Sequence, residues 1–517
     1  MEKRMLIVGA GIAGLSTGCY ARMNGFTTTI LEMHSIPGGL CTAWTRKGYT
    51  FDTSMHMLVG SKGGPLRKMW EELGVVGDRE FHYHEEVCRI ESREQNLTIC
   101  TDATRLRERL LELSPDDAAL IRQFIRLVSG RDMMGALSLE PPELGGPASK
   151  AKMLWSILPL VPTFLRWGKQ TIQEFAERFR DPFLRDAVRF FMDSPGWPMV
   201  RFPMAAMSGM LRSGVEDAGV PLGGSKKAID DMAAYYRRLG GEVHYQACVE
   251  EIIIEGDRAV GVRLSDGTEH RADVVVWAAD GYTAIFDMLG GRYTDDSIRS
   301  MYEEWIPVLP LVQVLLGVAR DMSGEPYRLI LEAENPITIA GQEHRWLTFI
   351  QRGFDPSMSP PGKSAIEVWY ATDYDYWAAL AKDRVAYKAE TERIADETIA
   401  ELNRRWPGLA DEVEMVDVPT PVTYERYTGN RRGSPDGWYM TPENMMKQTP
   451  LRSLPGLSSF QMVGQWTAPF TGTVMAALSG RQLVELLCAR EGRAFSTLPA
   501  PSAPYGPGAK KSPTTTR

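Results

Sequence analysis

The chain has 517 residues, of which 44% are hydrophobic and 24% are charged, and its formal net charge is −8 at pH 7. A chain of this length is too long to fold around one hydrophobic core, so we expect two or three domains of ordinary globular composition. The acidic balance, with basic residues dispersed rather than grouped, argues against a nucleic-acid-binding protein. The six cysteines form no CxxC pair and show no metal-ligand spacing, which predicts reduced thiols in a cytoplasmic protein and no metal site.

The first 32 residues predict a strand, a glycine-rich turn, a helix and a second strand that ends at an acidic residue. Glycine at the first position of the turn permits a tight bend, the second lets the backbone approach a pyrophosphate, and the third lets the helix pack closely. The phosphates would lie at the helix N-terminus, and the acid would bind a ribose hydroxyl. The dinucleotide-binding residues expected here are Gly9, Gly11, Ile12, Ala13, Gly14 and Glu32. The alternative is a chance cluster of glycines.

The chain continues with Ile36-Pro-Gly-Gly-Leu-Cys41 and Arg46-Lys-Gly-Tyr-Thr-Phe-Asp52. With these motifs it resembles the phytoene desaturase and carotenoid cis-trans isomerase group of the FAD-dependent amine-oxidase-like superfamily. The resemblance implies FAD as the cofactor, with Gly38, Gly39 and Arg46 as binding residues. Many amine oxidases have Arg where this chain has Leu40, which argues against an amine oxidase.

A further part of the same domain is predicted from residue 219, where a helix to Arg238 is followed by several strands. The resemblance implies that Val249 lies against the adenine through its backbone and that Ala279 lies near the cofactor. Without the resemblance, this segment could be a β-meander appended to any α/β sheet.

Residues 460–480 predict a strand, a Gly/Pro turn and a helix that starts near Thr473. A helix N-terminus directed at the flavin N1–C2=O edge would favour the negative charge that gathers there on reduction. The cofactor-binding residues expected here are Gly464, Gly472, Thr473 and Val474. An ordinary strand-turn-helix in the core is the alternative.

Flavin N5 can itself accept a hydride, so the protein need not supply a nucleophile. His56 is a candidate acid or base, or a structural histidine bonded to backbone. Arg432 is a candidate contact for a polar substrate end or the flavin, or part of a surface turn. Trp466 and Phe470 are expected as aromatic walls of the site or as core residues. Because no second GxGxxG motif and no redox-active CxxC follow, quinone or dioxygen is the expected electron acceptor. The alternative is NAD(P)H, which can bind transiently without that motif.

Residues 150–169 combine a mostly apolar stretch with basic flanks and the tryptophans Trp155 and Trp167. This pattern predicts either an interfacial segment that dips into one leaflet of a membrane or a helical hairpin buried against the substrate domain. No apolar stretch is long enough to cross a bilayer. The apolar N-terminal strand is explained by the nucleotide site, so we expect no export signal and a cytoplasmic, optionally membrane-associated protein.

The expected fold class is α/β, with a discontinuous Rossmann-type FAD-binding domain (1–75, 219–290 and 456–490). A mixed-sheet substrate-binding domain (76–104 and 291–455), a helical insertion (105–218) and a disordered tail (496–517) complete the prediction. The expected function is FAD-dependent desaturation, saturation or cis-trans isomerisation of C–C or C=C bonds in a hydrophobic isoprenoid or polyene. The alternatives are a flavin amine oxidase acting on a smaller substrate and a flavin-free prenyl-lipid-binding chaperone of the same fold.

Overall fold

The computed structural model describes residues 3–131, 137–191, 194–199, 201–445, 450–468 and 472–498, without the side chains of residues 148–150, 152 and 153. The strands in these ranges are β1 (Arg4–Val8), β2 (Thr27–Glu32), β3 (Trp44–Arg46), β4 (Tyr49–Phe51), β5 (Leu58–Val59), β6 (Phe81–His82), β7 (Glu86–Glu91), β8 (Asn96–Cys100), β9 (Ala218–Pro221), β10 (Glu242–Tyr245), β11 (Val249–Glu255), β12 (Arg258–Leu264), β13 (Glu269–Arg271), β14 (Val274–Trp277), β15 (Leu311–Val318), β16 (Arg328–Ile339), β17 (Gln342–Gln351), β18 (Ser364–Ala371), β19 (Val413–Asp417) and β20 (Phe460–Met462).

The α-helices of the described residues are α1 (Ile12–Met23), α2 (Gly64–Glu72), α3 (Ala103–Leu113), α4 (Ala118–Val128), α5 (Pro147–Ile157), α6 (Val161–Trp167), α7 (Ile172–Ala176), α8 (Pro182–Arg189), α9 (Gly224–Arg238), α10 (Asp296–Glu304), α11 (Tyr374–Leu380), α12 (Arg384–Arg405), α13 (Pro421–Thr428) and α14 (Thr473–Arg490). None of them is both long and apolar enough to cross a membrane.

A five-stranded sheet, in the order β10-β2-β1-β14-β20, is parallel at every pairing. Its strands come from three distant parts of the chain, within residues 4–32, 242–277 and 460–462. Parallel strands buried on both faces are nearly continuous in apolar residues, as the Val274–Trp277 strand is. The expected Rossmann-type α/β fold is confirmed, and its ligand-binding edge is the carboxyl end of these strands.

Helices α1 and α14 pack together beside this sheet. A Cβ added at Gly480 would lie 2.7 Å from the Thr17 backbone nitrogen, so only glycine allows this approach. The Ser16 hydroxyl donates a hydrogen bond of 2.6 Å to the Ala477 carbonyl oxygen. The first turns of the two helices are thereby held at fixed positions relative to each other.

A second, seven-stranded sheet has the order β19-β15-β18-β17-β16-β7-β8. Alternate side chains of β15, such as Val312 and Val314, pack in one apolar cluster with Ile394 and Leu402 of α12. Since successive side chains of a strand point to opposite faces, Leu311, Gln313 and Leu315 lie on the face away from α12. That opposite face forms part of the wall of the cavity described below.

Helices α3, α4, α6, α7 and α8 contribute to a further apolar cluster, which contains Phe124, Phe175 and Leu184 together with residues of β7 and β8 such as Ile90. At the other end of the chain, the Ser496 backbone N–H donates a hydrogen bond of 2.9 Å to Asn24 Oδ1. The chain is therefore held as far as the first residue of the expected tail. Residues 499–517 of that tail lie outside the described residues.

Candidate functional site

A cavity of about 390 Å³ lies between the carboxyl edge of the parallel sheet and the seven-stranded sheet. Its wall contains Gly11 and Glu32 at one end, Val249 and Ala279 along the side, and Gln313 on the second sheet. The volume is in the range of small-molecule sites in proteins. The three chain segments singled out by their motifs therefore meet at one cavity.

The glycine-rich turn opens helix α1 at this cavity. Gly9 has φ +101°, and its N–H donates a hydrogen bond of 2.8 Å to the Leu31 carbonyl oxygen. A Cβ at Gly14 would lie 1.9 Å from the Gly9 carbonyl oxygen, whereas one at Gly11 would meet only the Gly38 oxygen at 3.8 Å. Gly11 is the N-cap of α1 and offers no side-chain cap, so the first N–H groups are available to an anion.

The second glycine pair runs beside the first. The Gly38 N–H donates a hydrogen bond of 3.0 Å to the Ala10 carbonyl oxygen, and a Cβ at Gly39 would lie 3.7 Å from the Gly11 Cα. Gly38 has φ +126°, and a Cβ there would lie 2.5 Å from the Cys41 carbonyl oxygen. The backbone segments of residues 9–11 and 38–39 thus lie side by side and form what we call the glycine cradle. A side chain added here would clash with neighbouring backbone or occupy part of the cavity.

Glu32 ends β2 in the cavity wall and is 5% exposed. Its Oε2 accepts a hydrogen bond of 2.7 Å from the Ala10 N–H, and its Oε1 accepts one of 2.8 Å from the His34 N–H. Burial raises the pKa of this carboxyl group, while the two backbone donors oppose that shift. The carboxylate is held in one orientation and keeps lone pairs for hydroxyl groups of a ligand.

The start of α14 reaches the same cavity. Gly472, its N-cap, has φ +98°, and a Cβ there would meet no described atom within 4 Å. Gly464 also has φ +98°, and its N–H donates a hydrogen bond of 2.9 Å to Ser479 Oγ. Thr473 lines the cavity, whereas Val474 is buried in the apolar cluster beneath the sheet. The positive end of a helix dipole is therefore presented to the cavity.

The other sequence-predicted residues divide between the cavity wall and places away from it. Trp466 lines the cavity, donates a hydrogen bond of 2.8 Å from its Nε1 to Asn430 Oδ1 and packs edge-on against Trp438. The side chains of Ile12 and Ala13 also line it. Phe470 lies outside the described residues.

Two arginines singled out by the sequence lie on the surface. Arg46 is exposed in β3 and donates a hydrogen bond to the Thr45 carbonyl oxygen. Arg432 is exposed and forms two hydrogen bonds, of 2.9 and 2.7 Å, to the carboxylate of Asp375. Neither side chain lines the cavity, and Arg432 fits the alternative of a surface turn.

His56 lies behind the cavity wall, edge-on against Trp369 at a ring-centroid distance of 4.5 Å. Its Nδ1 is 3.3 Å from Arg352 Nη2, and the Tyr327 hydroxyl donates a hydrogen bond of 3.1 Å to its carbonyl oxygen. Burial, together with the nearby charge of Arg352, lowers its pKa well below the usual value for histidine. The ring is therefore neutral at physiological pH.

A charged group lies next to His56. Arg352 is 3% exposed, and its Nη2 donates a hydrogen bond of 2.5 Å to the Asp52 carbonyl oxygen. Arg352 Nε is 3.7 Å from Oε1 of Glu367, which is 2% exposed. Glu367 Oε2 accepts a hydrogen bond of 3.2 Å from Trp369 Nε1, and burial raises the pKa of Glu367 to about 7.

Several wall residues carry no motif and were missed from the sequence: Thr53, Trp197, Gln313, Tyr424 and Asn430. Gln313 could have been found, because it is the one polar residue in the apolar run Leu311-Val-Gln-Val-Leu-Leu316. The others come from loops and a helix that only the tertiary structure brings to the cavity. Among the described residues, no group of three or more His, Cys, Asp or Glu side chains could hold a metal ion.

The sequence of this chain is similar to those of known proteins over most of its length. Residues 12–487 match the model of the flavin-containing amine oxidoreductase family. A chloroplastic prolycopene isomerase of Daucus carota is 24% identical over 93% of this chain and 79% of its own length. A neurosporene-forming phytoene desaturase of Rhodobacter capsulatus is 24% identical over 94% of both chains.

Solved structures share the fold at lower identity. An oxidoreductase from Methanosarcina mazei has a TM-score of 0.60 and 17% identity, over 93% of this chain and 100% of its own. Cyclohexylamine oxidase from Brevibacterium oxydans has a TM-score of 0.60 and 15% identity, over 95% of this chain and 100% of its own. A family match of this extent, on a chain with this fold and these glycines, confirms the resemblance stated from the sequence. The chain belongs to the flavin-containing amine oxidoreductase family and is an FAD-dependent oxidoreductase.

Proposed function

We propose that this protein performs flavin hydride chemistry on C–C or C=C bonds of a hydrophobic isoprenoid or polyene. The observation that carries the proposal is the cavity itself, whose glycine cradle continues into a wall containing Trp197, Leu311 and Tyr424. Its relatives over nearly the whole chain are a prolycopene isomerase and phytoene desaturases. No feature of the described cavity favours an amine oxidase over this class, and a flavin-free chaperone conflicts with the family's cofactor.

The glycine cradle and the two helix N-termini are the proposed cofactor site. Backbone N–H groups at Gly11 would bind the pyrophosphate, the Glu32 carboxylate would bind a ribose hydroxyl, and Val249 would lie against the adenine. The first turn of α14, at Gly472 and Thr473, would stabilise negative charge on the isoalloxazine. The residues proposed to form this site are Gly9, Gly11, Ile12, Ala13, Gly14, Glu32, Gly38, Gly39, Val249, Ala279, Gly464, Gly472 and Thr473. The three-part domain of 1–75, 219–290 and 456–490 would carry them.

FAD held by these residues would supply hydride transfer at N5, and quinone or dioxygen is proposed as the external acceptor. The wall residues Trp197, Leu311 and Trp466 would hold an apolar chain against the ring and exclude water. Because the cofactor would supply the hydride chemistry, the protein itself would orient the substrate and hold or move protons, and it would need no nucleophilic side chain.

Glu367 is the described residue best suited to hold a proton near neutral pH at this end of the molecule. Its carboxyl group fixes the indole of Trp369, and that indole packs on Trp197 at a ring-centroid distance of 6.1 Å. A neutral His56 is a poorer proton donor, because its pKa lies well below the physiological range. We propose Glu367 as a positioning residue that carries a proton behind the cavity wall.

The segment from α5 to α6 is the proposed membrane contact. Six of the large apolar side chains described in this segment are exposed. Trp155 is 73% exposed and Leu165 is 85% exposed, and the remaining four are Leu154, Ile157, Leu158 and Val161. So many exposed apolar side chains within one segment are unusual on a soluble monomer and fit the interfacial region of a bilayer. Trp167, by contrast, is buried against Phe175 and does not belong to this set of exposed side chains.

The cofactor assignment is tested by Gly11→Val. The Cβ of the added side chain would meet only the Gly38 oxygen, at 3.8 Å, so we expect the protein to fold, while the side chain would occupy the space proposed for the pyrophosphate. We expect purified Gly11→Val protein to lack flavin absorbance. Gly63→Val is the matched control, because Gly63 is also an extended N-cap glycine with no described atom within 4 Å of its Cβ. Stoichiometric FAD in Gly11→Val would refute the assignment.

The reaction class is tested by incubating the FAD-loaded protein with polyene and isoprenoid hydrocarbons and with alkylamines, each in air and under anaerobic conditions. We expect changes in the number or geometry of C=C bonds in the isoprenoids, detected by chromatography and absorption spectra. Oxidation of the amines alone would contradict the proposal. Reduction of the bound flavin by substrate under anaerobic conditions would separate desaturation from isomerisation, since only the former leaves the flavin reduced.

The proton affinity of Glu367 is tested through stability. Its pKa in the folded protein, about 7, exceeds its ordinary value of 4.5, so the folded state binds the proton more tightly than the unfolded state. The unfolding free energy should therefore fall as pH rises from about 4.5 to about 7, by about 2–3 kcal/mol from this group. We expect Glu367→Gln to remove this part of the pH dependence in urea-unfolding curves at pH 5 to 8. An unchanged pH slope in the variant would show an ordinary carboxyl pKa.

The membrane contact is tested with the double variant Trp155→Glu, Leu165→Glu and vesicles of phosphatidylcholine and phosphatidylglycerol. Carboxylates at these positions should oppose insertion, and we expect co-sedimentation with the vesicles to be lost. Val385→Glu is the control, because Val385 is 80% exposed on α12, outside the segment. Equal co-sedimentation of the double variant and the wild type would rule out the segment as the contact.

A further inference from the structure

The side chain of Gln313 is a buried polar group where the seven-stranded sheet contributes to the cavity wall. It lies on β15 between Val312 and Val314, which face the core around α12, and it shares the opposite face with Leu311. Both Leu311 and Gln313 line the cavity. Gln313 is 1% exposed, so its amide is removed from bulk water.

The hydrogen bonds of this amide are incomplete. Its Oε1 accepts a hydrogen bond from the hydroxyl of Tyr424, which also lines the cavity and lies 3.4 Å from Thr53 Oγ1. Its Nε2 has no hydrogen-bond partner among the described residues. If the amide were turned over, its oxygen would be the atom left over, so one polar atom is unmatched in either orientation.

An unmatched polar atom in a buried site lowers stability unless a ligand or a water molecule pairs with it. A leucine at this position would be as apolar as its neighbours on the same face, Leu311 and Leu315. The amide therefore indicates a polar partner in the cavity.

Polar side chains behind this wall also contain buried atoms without hydrogen-bond partners in the described part of the chain. Trp369 lies directly opposite Gln313 on β18, and His56 packs on Trp369. Among the described residues, His56 Nε2 and the Nε and Nη1 of Arg352 are buried without hydrogen-bond partners. These unmatched atoms are nitrogens that can donate, so donors exceed acceptors in the region behind this wall.

We propose that the substrate of this protein carries an oxygen function, a carbonyl, carboxyl or hydroxyl group, on its otherwise apolar isoprenoid chain, and that Gln313 and Tyr424 bind that oxygen. The inference rests on the proposed function and adds the substrate class to it. A pure hydrocarbon offers no acceptor, so its binding would leave the Gln313 amide unpaired and dry. A site built for a hydrogen bond rejects an analogue without the matching group more strongly than an apolar pocket rejects an extra group.

The test is a binding comparison with three probes that share one C15 chain: β-farnesene, farnesol and farnesal. Binding to the FAD-loaded protein is followed by quenching of tryptophan fluorescence, which needs no turnover. We expect farnesol and farnesal to bind about tenfold or more tightly than farnesene, the difference of one hydrogen bond to a buried group.

The variant Gln313→Leu should abolish this preference by weakening the binding of farnesol and farnesal while keeping or strengthening that of farnesene. Retained farnesene binding shows that the variant is folded. Gln461→Leu is the matched control. Like Gln313, Gln461 is buried (6% exposed) and has an amide atom without a hydrogen-bond partner among the described residues, but it does not line the cavity. It should keep the preference of the wild type.

Equal affinity of the wild type for all three probes would overturn the inference and leave the proposed function standing, with an internal water molecule as the partner of Gln313. A preference that survives in Gln313→Leu would likewise overturn the assignment of the oxygen to Gln313. Failure of all three probes, together with oxidation of alkylamines in the reaction assay, would instead overturn the proposed function.

Discussion

The close approach of α1 to the turn before it is the constraint on which the cavity depends. A Cβ at Gly14 would lie 1.9 Å from the Gly9 carbonyl oxygen, and one at Gly480 would lie 2.7 Å from the Thr17 backbone nitrogen, so neither position has room for a side chain. These contacts fix the first turns of α1 and α14 at one cavity. Two helix N-termini can then act on one ligand, and their dipoles favour negative charge at both places.

The two ends of the cavity have different physical characters. At the glycine cradle, backbone groups and one oriented carboxylate provide the interactions, and side chains are kept away by steric limits. Near the seven-stranded sheet, the wall combines apolar and aromatic residues such as Trp197 and Leu311 with polar groups that include the Gln313 amide and the Tyr424 hydroxyl. The glycine cradle suits a nucleotide that is common to a whole family. The side chains at the seven-stranded sheet can vary with the substrate.

The cofactor half could be predicted because its requirements are local. Gly9, Gly11 and Gly14 lie within one turn and one helix, and Glu32 follows at the end of the next strand, so sequence spacing determines their geometry. The surface position of Arg46 and the core position of Val474 were not predicted, because side-chain direction depends on the hairpin and the helix face. His56, a candidate acid or base from the sequence, does not line the cavity: it is buried behind Trp369, and this burial, with the charge of Arg352 296 residues away in the sequence, lowers its pKa.

By itself, the sequence determined the α/β class and the dinucleotide-binding pattern, because short-range spacing and the alternation of strand and helix encode them, and its resemblance to a known family implied FAD. Only the tertiary structure decided the wall of the substrate end, where Thr53, Gln313 and Tyr424 meet from separate parts of the chain. It also decided that Trp155 is exposed while Trp167 is buried, although the two residues share one apolar segment. Burial depends on what packs against a residue, and that partner is remote in the chain.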